Sequence, residues 1–107
     1  MLTIRQWTEK DDILVLQLLG RFLHEDQETF KSFFRHKKSR IVVDLGTLTK
    51  LSPEGLVRII AIRREYENAV FVEPQVEQVI DLLEQTGLKQ ILKPFSTLEE
   101  AIASLNE

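Results

Sequence analysis

Apolar and polar positions along the chain fall into two rhythms. Leu2–Trp7 reads as a strand, and Ile13–Leu19 (ILVLQLL) is a near-continuous apolar run, short and rich in branched side chains. Such a run predicts a buried strand. The charged stretch Glu9-Lys10-Asp11-Asp12 between them is short enough to close an antiparallel hairpin, which Gly20 is expected to end. From His24 the period changes. Phe30, Phe33 and Phe34 recur at helical spacing, so His24–His36 predicts a helix with one apolar face. Arg40–Leu45 (RIVVDL) returns to unbroken apolarity, the pattern of a strand covered on both faces in a parallel sheet.

The rhythm then alternates. Pro53–Glu67 predicts a helix with Leu56, Ile59, Ile60 and Ile62 inward, and Ala69–Glu73 a short strand. Val76–Gln85 predicts a helix with Val76, Val79, Ile80, Leu82 and Leu83 as its stripe, stopped by a left-handed Gly87. Ile91–Phe95 predicts a short edge strand, a position that Pro94 suits. Ser96-Thr97-Leu98-Glu99 has the form of a capping box opening a last helix, Thr97–Leu105. The order ββαβαβα(β)α predicts an α/β fold with a mixed, mostly parallel sheet. About four or five strands, the first two an antiparallel hairpin, and about four helices are expected. No repeat or linker breaks the 107 residues, so one domain over 1–107 is expected.

Composition removes options more than it adds them. Hydrophobic residues make up 43% and charged residues 29%, ordinary for a globule. Cysteine is absent, so disulfides, thiol nucleophiles and cysteine metal sites are impossible. The net charge is −3 and the pI about 5.4, opposite in sign to a protein that binds nucleic acid through its phosphates. No nucleic-acid partner is expected. No apolar run approaches the roughly 20 residues needed to span a bilayer, and Met1–Asp12 lacks the apolar core of a signal peptide. The expectation is a cytoplasmic protein without membrane insertion.

Candidate chemistry is sparse. His24 and His36 lie near opposite ends of one predicted helix, about 18 Å apart by helical rise, too far to share a metal. Glu25, Asp26 and Glu28 read as a solvated first turn complementing the helix dipole, and Arg35–Arg40 as a solvated basic connector. Neither a phosphate-binding glycine loop nor a serine elbow is present. Ser52 has no histidine near it in sequence, so no enzyme, metal or cofactor is expected.

The stretch TKLSPEGLVRII (Thr49–Ile60) follows the strand RIVVDL through a short loop. Ligands and partners of parallel sheets gather at the carboxyl ends of strands, where this loop sits. It is also a complete helix start. Ser52 suits the N-cap, Pro53 the first helical position, and Glu54 the positive end of the dipole.

IVVDLGTLTKLSPEGLVRII resembles the signature segment of STAS domains, the family of anti-sigma factor antagonists. There an apolar strand ends in Asp-Leu, and a helix opens with Asp-Ser-Ser/Thr-Gly-Leu. VIDLLEQTGLKQIL (Val79–Leu92) and FSTLEEAIASL (Phe95–Leu105) resemble the family's later helix, Thr-Gly-Leu turn, last strand and closing helix. The resemblance covers nearly the whole chain. It implies that Gly55-Leu56 matches Gly-Leu, which puts Glu54 where the family carries a phosphorylated Ser or Thr. Pro53 then stands on the preceding serine and Ser52 on the aspartate, while Leu23 replaces a second aspartate in Gly20-Arg21-Phe22-Leu23.

The resemblance therefore implies a non-catalytic protein-interaction module without the usual phosphorylatable hydroxyl. Thr49, Lys50, Ser52, Pro53, Glu54, Gly55 and Arg58 are the expected partner contacts, on the loop Gly46–Ser52 and the following helix. The partner would be an anti-sigma factor of the kinase-like kind. Two alternatives stay open: a subunit of a lipid-transport ATPase, and a nucleotide or small-ligand binder at the same loop. A homodimer stays open as well.

Overall fold

The computed structural model describes residues 1–33 and 40–106. Strand β1 (Leu2–Glu9) and strand β2 (Ile13–Phe22) form the expected hairpin, in register from Leu2↔Gly20 to Glu9↔Ile13. A single 3-10 turn, Lys10–Asp12, connects them, with Asp11 and Asp12 in the left-handed region at φ 62 and 63°. A short polar side chain tolerates that conformation better than most. β2 does not end at Gly20 as expected. Gly20 adopts φ +85°, and a Cβ there would lie 2.8 Å from the Met1 carbonyl oxygen, so glycine is what lets the strand run on to Phe22.

β2 is the spine of the sheet. Its second edge is shared by two parallel strands, β3 (Arg40–Asp44) beside Leu14–Gln17 and β4 (Leu48–Leu51) beside Gly20–Phe22. β5 (Asn68–Val72) pairs parallel with β3, giving the order β1-β2-β3-β5 with β4 on β2. β4 lies inside what the sequence predicts as a loop. Leu48 and Leu51 are both buried although three residues apart, which strict alternation forbids. A register shift against Gly20 and Arg21 turns both inward.

Five α-helices cover the sheet among the described residues: α1 (Gln27–Ser32), α2 (Pro53–Glu65), α3 (Glu77–Gln85), α4 (Leu88–Leu92) and α5 (Leu98–Leu105). Their apolar faces make two cores. Leu16, Leu18, Ile41, Val43, Ala69 and Phe71 pack with Phe30, Leu56, Ile59, Val79, Leu83 and Leu92 on one side. Ile13, Val15, Val42 and Val72 pack with Ala101, Leu98 and Ile102 on the other. β2 and β3 are therefore covered twice, which is why their sequences read as unbroken apolar runs.

Three local expectations change. The helix predicted over His24–His36 begins as a 3-10 turn (His24–Asp26) before α1, while Phe34 and the basic run as far as Ser39 lie outside the described residues. The edge strand predicted over Ile91–Phe95 is instead the end of α4. Leu88 and Leu92 are buried four residues apart while Ile91 is 53% exposed, a helical period that the short apolar pair conceals. Phe95 alone meets the sheet, bridging Val72 with its N–H on the Phe71 oxygen at 2.8 Å. Finally, the last helix is capped by Thr97 with Glu100, one residue later than the Ser96–Glu99 box. Gly87 takes the left-handed stop as expected, at φ +75°.

Candidate functional site

β4 delivers the chain directly into α2. The Ser52 N–H donates to the Phe22 carbonyl at 2.9 Å, closing the strand pairing, and the Ser52 hydroxyl then accepts the Gly55 N–H at 3.1 Å. Pro53 occupies the first helical position, where a missing N–H costs nothing. Gly55 is buried, and a Cβ on it would lie 2.9 Å from Leu51 Cδ1 and 3.0 Å from the Phe22 ring. The Gly-Leu pair is thus a packing device: it seats α2 on the ends of β2 and β4.

The predicted contact residues divide accordingly. Thr49 and Lys50 are exposed on β4, with the Thr49 hydroxyl donating to the Gly20 oxygen at 2.9 Å. Pro53 is exposed, Glu54 half-exposed, and Gly55 faces inward. Arg58 is tied down, its Nε donating to Gln27 Oε1 at 3.1 Å.

Sequence reasoning misses the wall opposite α2, built by the segment Leu23–Gln27. His24 reads in sequence as an isolated surface histidine, yet its Nδ1 lies 3.7 Å from Glu54 Oε1. It also lies 3.0 Å from Gln27 Nε2. Because Arg58 fixes the Gln27 oxygen, the amide turns its NH2 group toward His24, so Nδ1 accepts. The Glu54 carboxylate, 43% exposed in the first turn of α2, lies beside the His24 ring and faces solvent.

Asp26 corrects a second reading. The carboxylates of 25–28 suggest a solvated first turn, but Asp26 is only 6% exposed. Its two oxygens accept the Leu2 N–H at 3.2 Å and the Leu23 N–H at 2.9 Å. It ties the start of β1 to the end of β2 and fixes the wall that carries His24. The Leu23 partner is local, three residues back, but the Leu2 partner on β1 is far in sequence, so local pattern does not reveal the burial of Asp26. Asp44 plays a similar part where β3 ends, accepting from Gly46 N–H at 2.8 Å and from Gln17 Nε2 at 3.3 Å.

A family model for the STAS domain matches residues 5–101. The chain belongs to the STAS domain family. Solved structures agree on the fold of this STAS domain. An anti-sigma factor antagonist from Mycobacterium paratuberculosis superposes with TM-score 0.83 at 16% identity, covering 100% of this chain and 96% of that one. The anti-sigma factor antagonist SpoIIAA in its unphosphorylated form gives 0.77 at 18% identity, covering 97% and 96%. An uncharacterised Shewanella loihica protein with a SpoIIAA-like fold gives 0.55 at 15%, covering 97% and 93%. A search of curated protein sequences returned no match. Among the described residues, no helix is long and apolar enough to cross a membrane.

Proposed function

We propose that this STAS domain is a non-catalytic interaction module of the anti-sigma antagonist type. Its contact surface is the β4–α2 junction, and Glu54 stands in place of the phosphorylatable hydroxyl. The observation that carries this reading is the Glu54 carboxylate itself. It is solvent-facing at the positive end of α2, on a surface walled by His24 and held by the Arg58–Gln27 bond. A glutamate carries one charge, whereas a phosphoserine carries about −1.5 to −2 and three acceptor oxygens. Glu54 therefore presents a permanent, weaker version of the modified state and has no hydroxyl to modify. Ser52 does not substitute, because its hydroxyl oxygen is engaged as the α2 cap and a phosphate there would displace the Gly55 N–H.

The partner expected on this reading is an anti-sigma factor of the kinase-like kind. Titrating such a protein from the same cell with wild type and Glu54→Lys tests it by calorimetry. Charge reversal should weaken binding by about tenfold or more while leaving the circular-dichroism spectrum unchanged. Equal affinities for the two would remove the reading. With ATP and magnesium added, no stoichiometric phosphate should appear in residues 46–60. A phosphoserine mapped to Ser52 would overturn the permanent-state claim.

A further inference from the structure

Helix α2 buries Gly55, Leu56, Ile59 and Ile62. The opposite, outward side of a helix in this position is ordinarily polar. Here its centre is apolar. Val57 is 60% exposed, and Ala61 follows four residues later on the same stripe. With Ile60, Arg64 and Glu65 they line a shallow depression of about 430 Å³. The stripe is charged only at its ends: Glu54 lies three residues before Val57, and Arg64 three after Ala61. Among the described residues Arg64 has no ion-pair partner, while the cationic-type neighbour of Glu54 is the His24 ring at 3.7 Å.

We propose that this stripe is the contact of a symmetric homodimer in which α2 packs antiparallel against α2 of a second copy. The sequence of the stripe is self-complementary about a two-fold axis on the outward face, midway between Val57 and Ala61. An antiparallel register that sets Glu54 against Arg64 of the partner subunit also sets Val57 against Ala61 of the partner subunit, and the reverse pairs follow by symmetry. Glu54 then finds opposite charge at each end, with Glu65 on the flank of each pair. Each valine meets the position where the facing side chain is smallest, so it enters the depression that Ala61 leaves open. A partner of other sequence would have to supply the same acid–apolar–base pattern in reverse. A second copy supplies it automatically.

A contact through one helix per subunit belongs to the small, reversible class of interfaces. The dimer is therefore concentration-dependent and weakened by salt, since its end pairs lie at the rim. Glu54 lies inside it, so pairing and the partner contact proposed above exclude one another. The dimer itself does not depend on that partner, and it is measured on the isolated protein, so failure of either reading is seen separately.

Sedimentation of the full chain from low-micromolar to near-millimolar concentration decides the matter. Wild type should pass from monomer to dimer. Val57→Glu should abolish the transition, and Glu54→Arg or Arg64→Glu alone should weaken it by about tenfold, each placing like charges at both ends. The double variant Glu54→Arg/Arg64→Glu should restore it to within about threefold of wild type, because the pairs re-form with reversed sign. Urea midpoints close to wild type confirm that these exposed changes leave the fold intact. As an independent geometric readout, the chain has no native cysteine. Val57→Cys mixed with Ala61→Cys should form the mixed disulfide faster than either variant links to itself.

A monomer at every concentration, a dimer indifferent to Val57→Glu, or a double variant that fails to recover overturns the proposal. So does faster self-linking of a single cysteine variant. A monomer whose binding to the kinase-like protein is lost on Val57→Glu also overturns it, and assigns the stripe to that partner instead.

Discussion

At the start of α2 the Ser52 hydroxyl accepts the Gly55 N–H at 3.1 Å, and at the start of α5 the Thr97 hydroxyl accepts the Glu100 N–H at the same distance. The two caps are locally equivalent, and each helix carries glutamate in its first turn. Their surroundings differ. At α5 the hydroxyl also donates to Glu100 Oε1 at 3.3 Å, so cap and carboxylate complete one another within a single turn. At α2 the helix starts against the ends of two strands, Gly55 lets it approach Phe22 and Leu51, and Glu54 is turned outward past His24. A cap closed on itself only begins a helix. A cap set on the carboxyl end of a sheet with its acid left outward can also be a contact surface.

Substitutions can break this comparison in order of size. The largest effect is expected from Asp26→Ala, which strips the wall beside α2 of a carboxylate that accepts two backbone N–H groups. Loss of about 2–4 kcal/mol in urea unfolding should follow, because one buried and one half-buried donor lose their acceptor. Among the described residues, nothing near α5 has an equivalent. Gly55→Val should cost about 2–3 kcal/mol by overpacking against Leu51 and Phe22. A loss below about 0.5 kcal/mol would show that the junction relaxes freely and is not the rigid seat described.

Cap removal should then equalise the two regions. Ser52→Ala and Thr97→Ala should each cost about 1 kcal/mol, the usual value of a side-chain N-cap. A much larger loss at Ser52 would mean that its hydroxyl supports more than the helix start. The smallest expected stability effects are those of Glu54→Gln and Glu100→Gln, each within about 0.5 kcal/mol for an exposed first-turn carboxylate. The sharpest contrast lies here. Glu54→Gln should weaken binding of the kinase-like partner in calorimetry, and Glu100→Gln should leave it unchanged.

Much of this was legible in the chain because it is encoded over short distances. The hairpin, the doubly covered β3, the α2 cap and the Gly87 stop each rest on residues within one turn or one strand of each other. The failures share one cause. β4 has no readable alternation, since its inward pair Leu48 and Leu51 depends on a register shift against β2. α4 is a five-residue helix whose apolar ends are indistinguishable in sequence from a short buried strand. Asp26 looks like its exposed neighbours until β1 brings the Leu2 N–H to it beside the local Leu23 N–H.

The sequence by itself determined where the helices start, which strands are buried on both faces, and that an acid stands at residue 54 in the first turn of α2. These follow from local propensity and from the order of residue types. Only the tertiary structure decided that His24, Gln27 and Arg58 gather beside that acid, that Gly55 is a seat for α2, and that Val57 is left outside the core. Those facts depend on how separate segments pack and pair, and no periodicity within one segment records its neighbours.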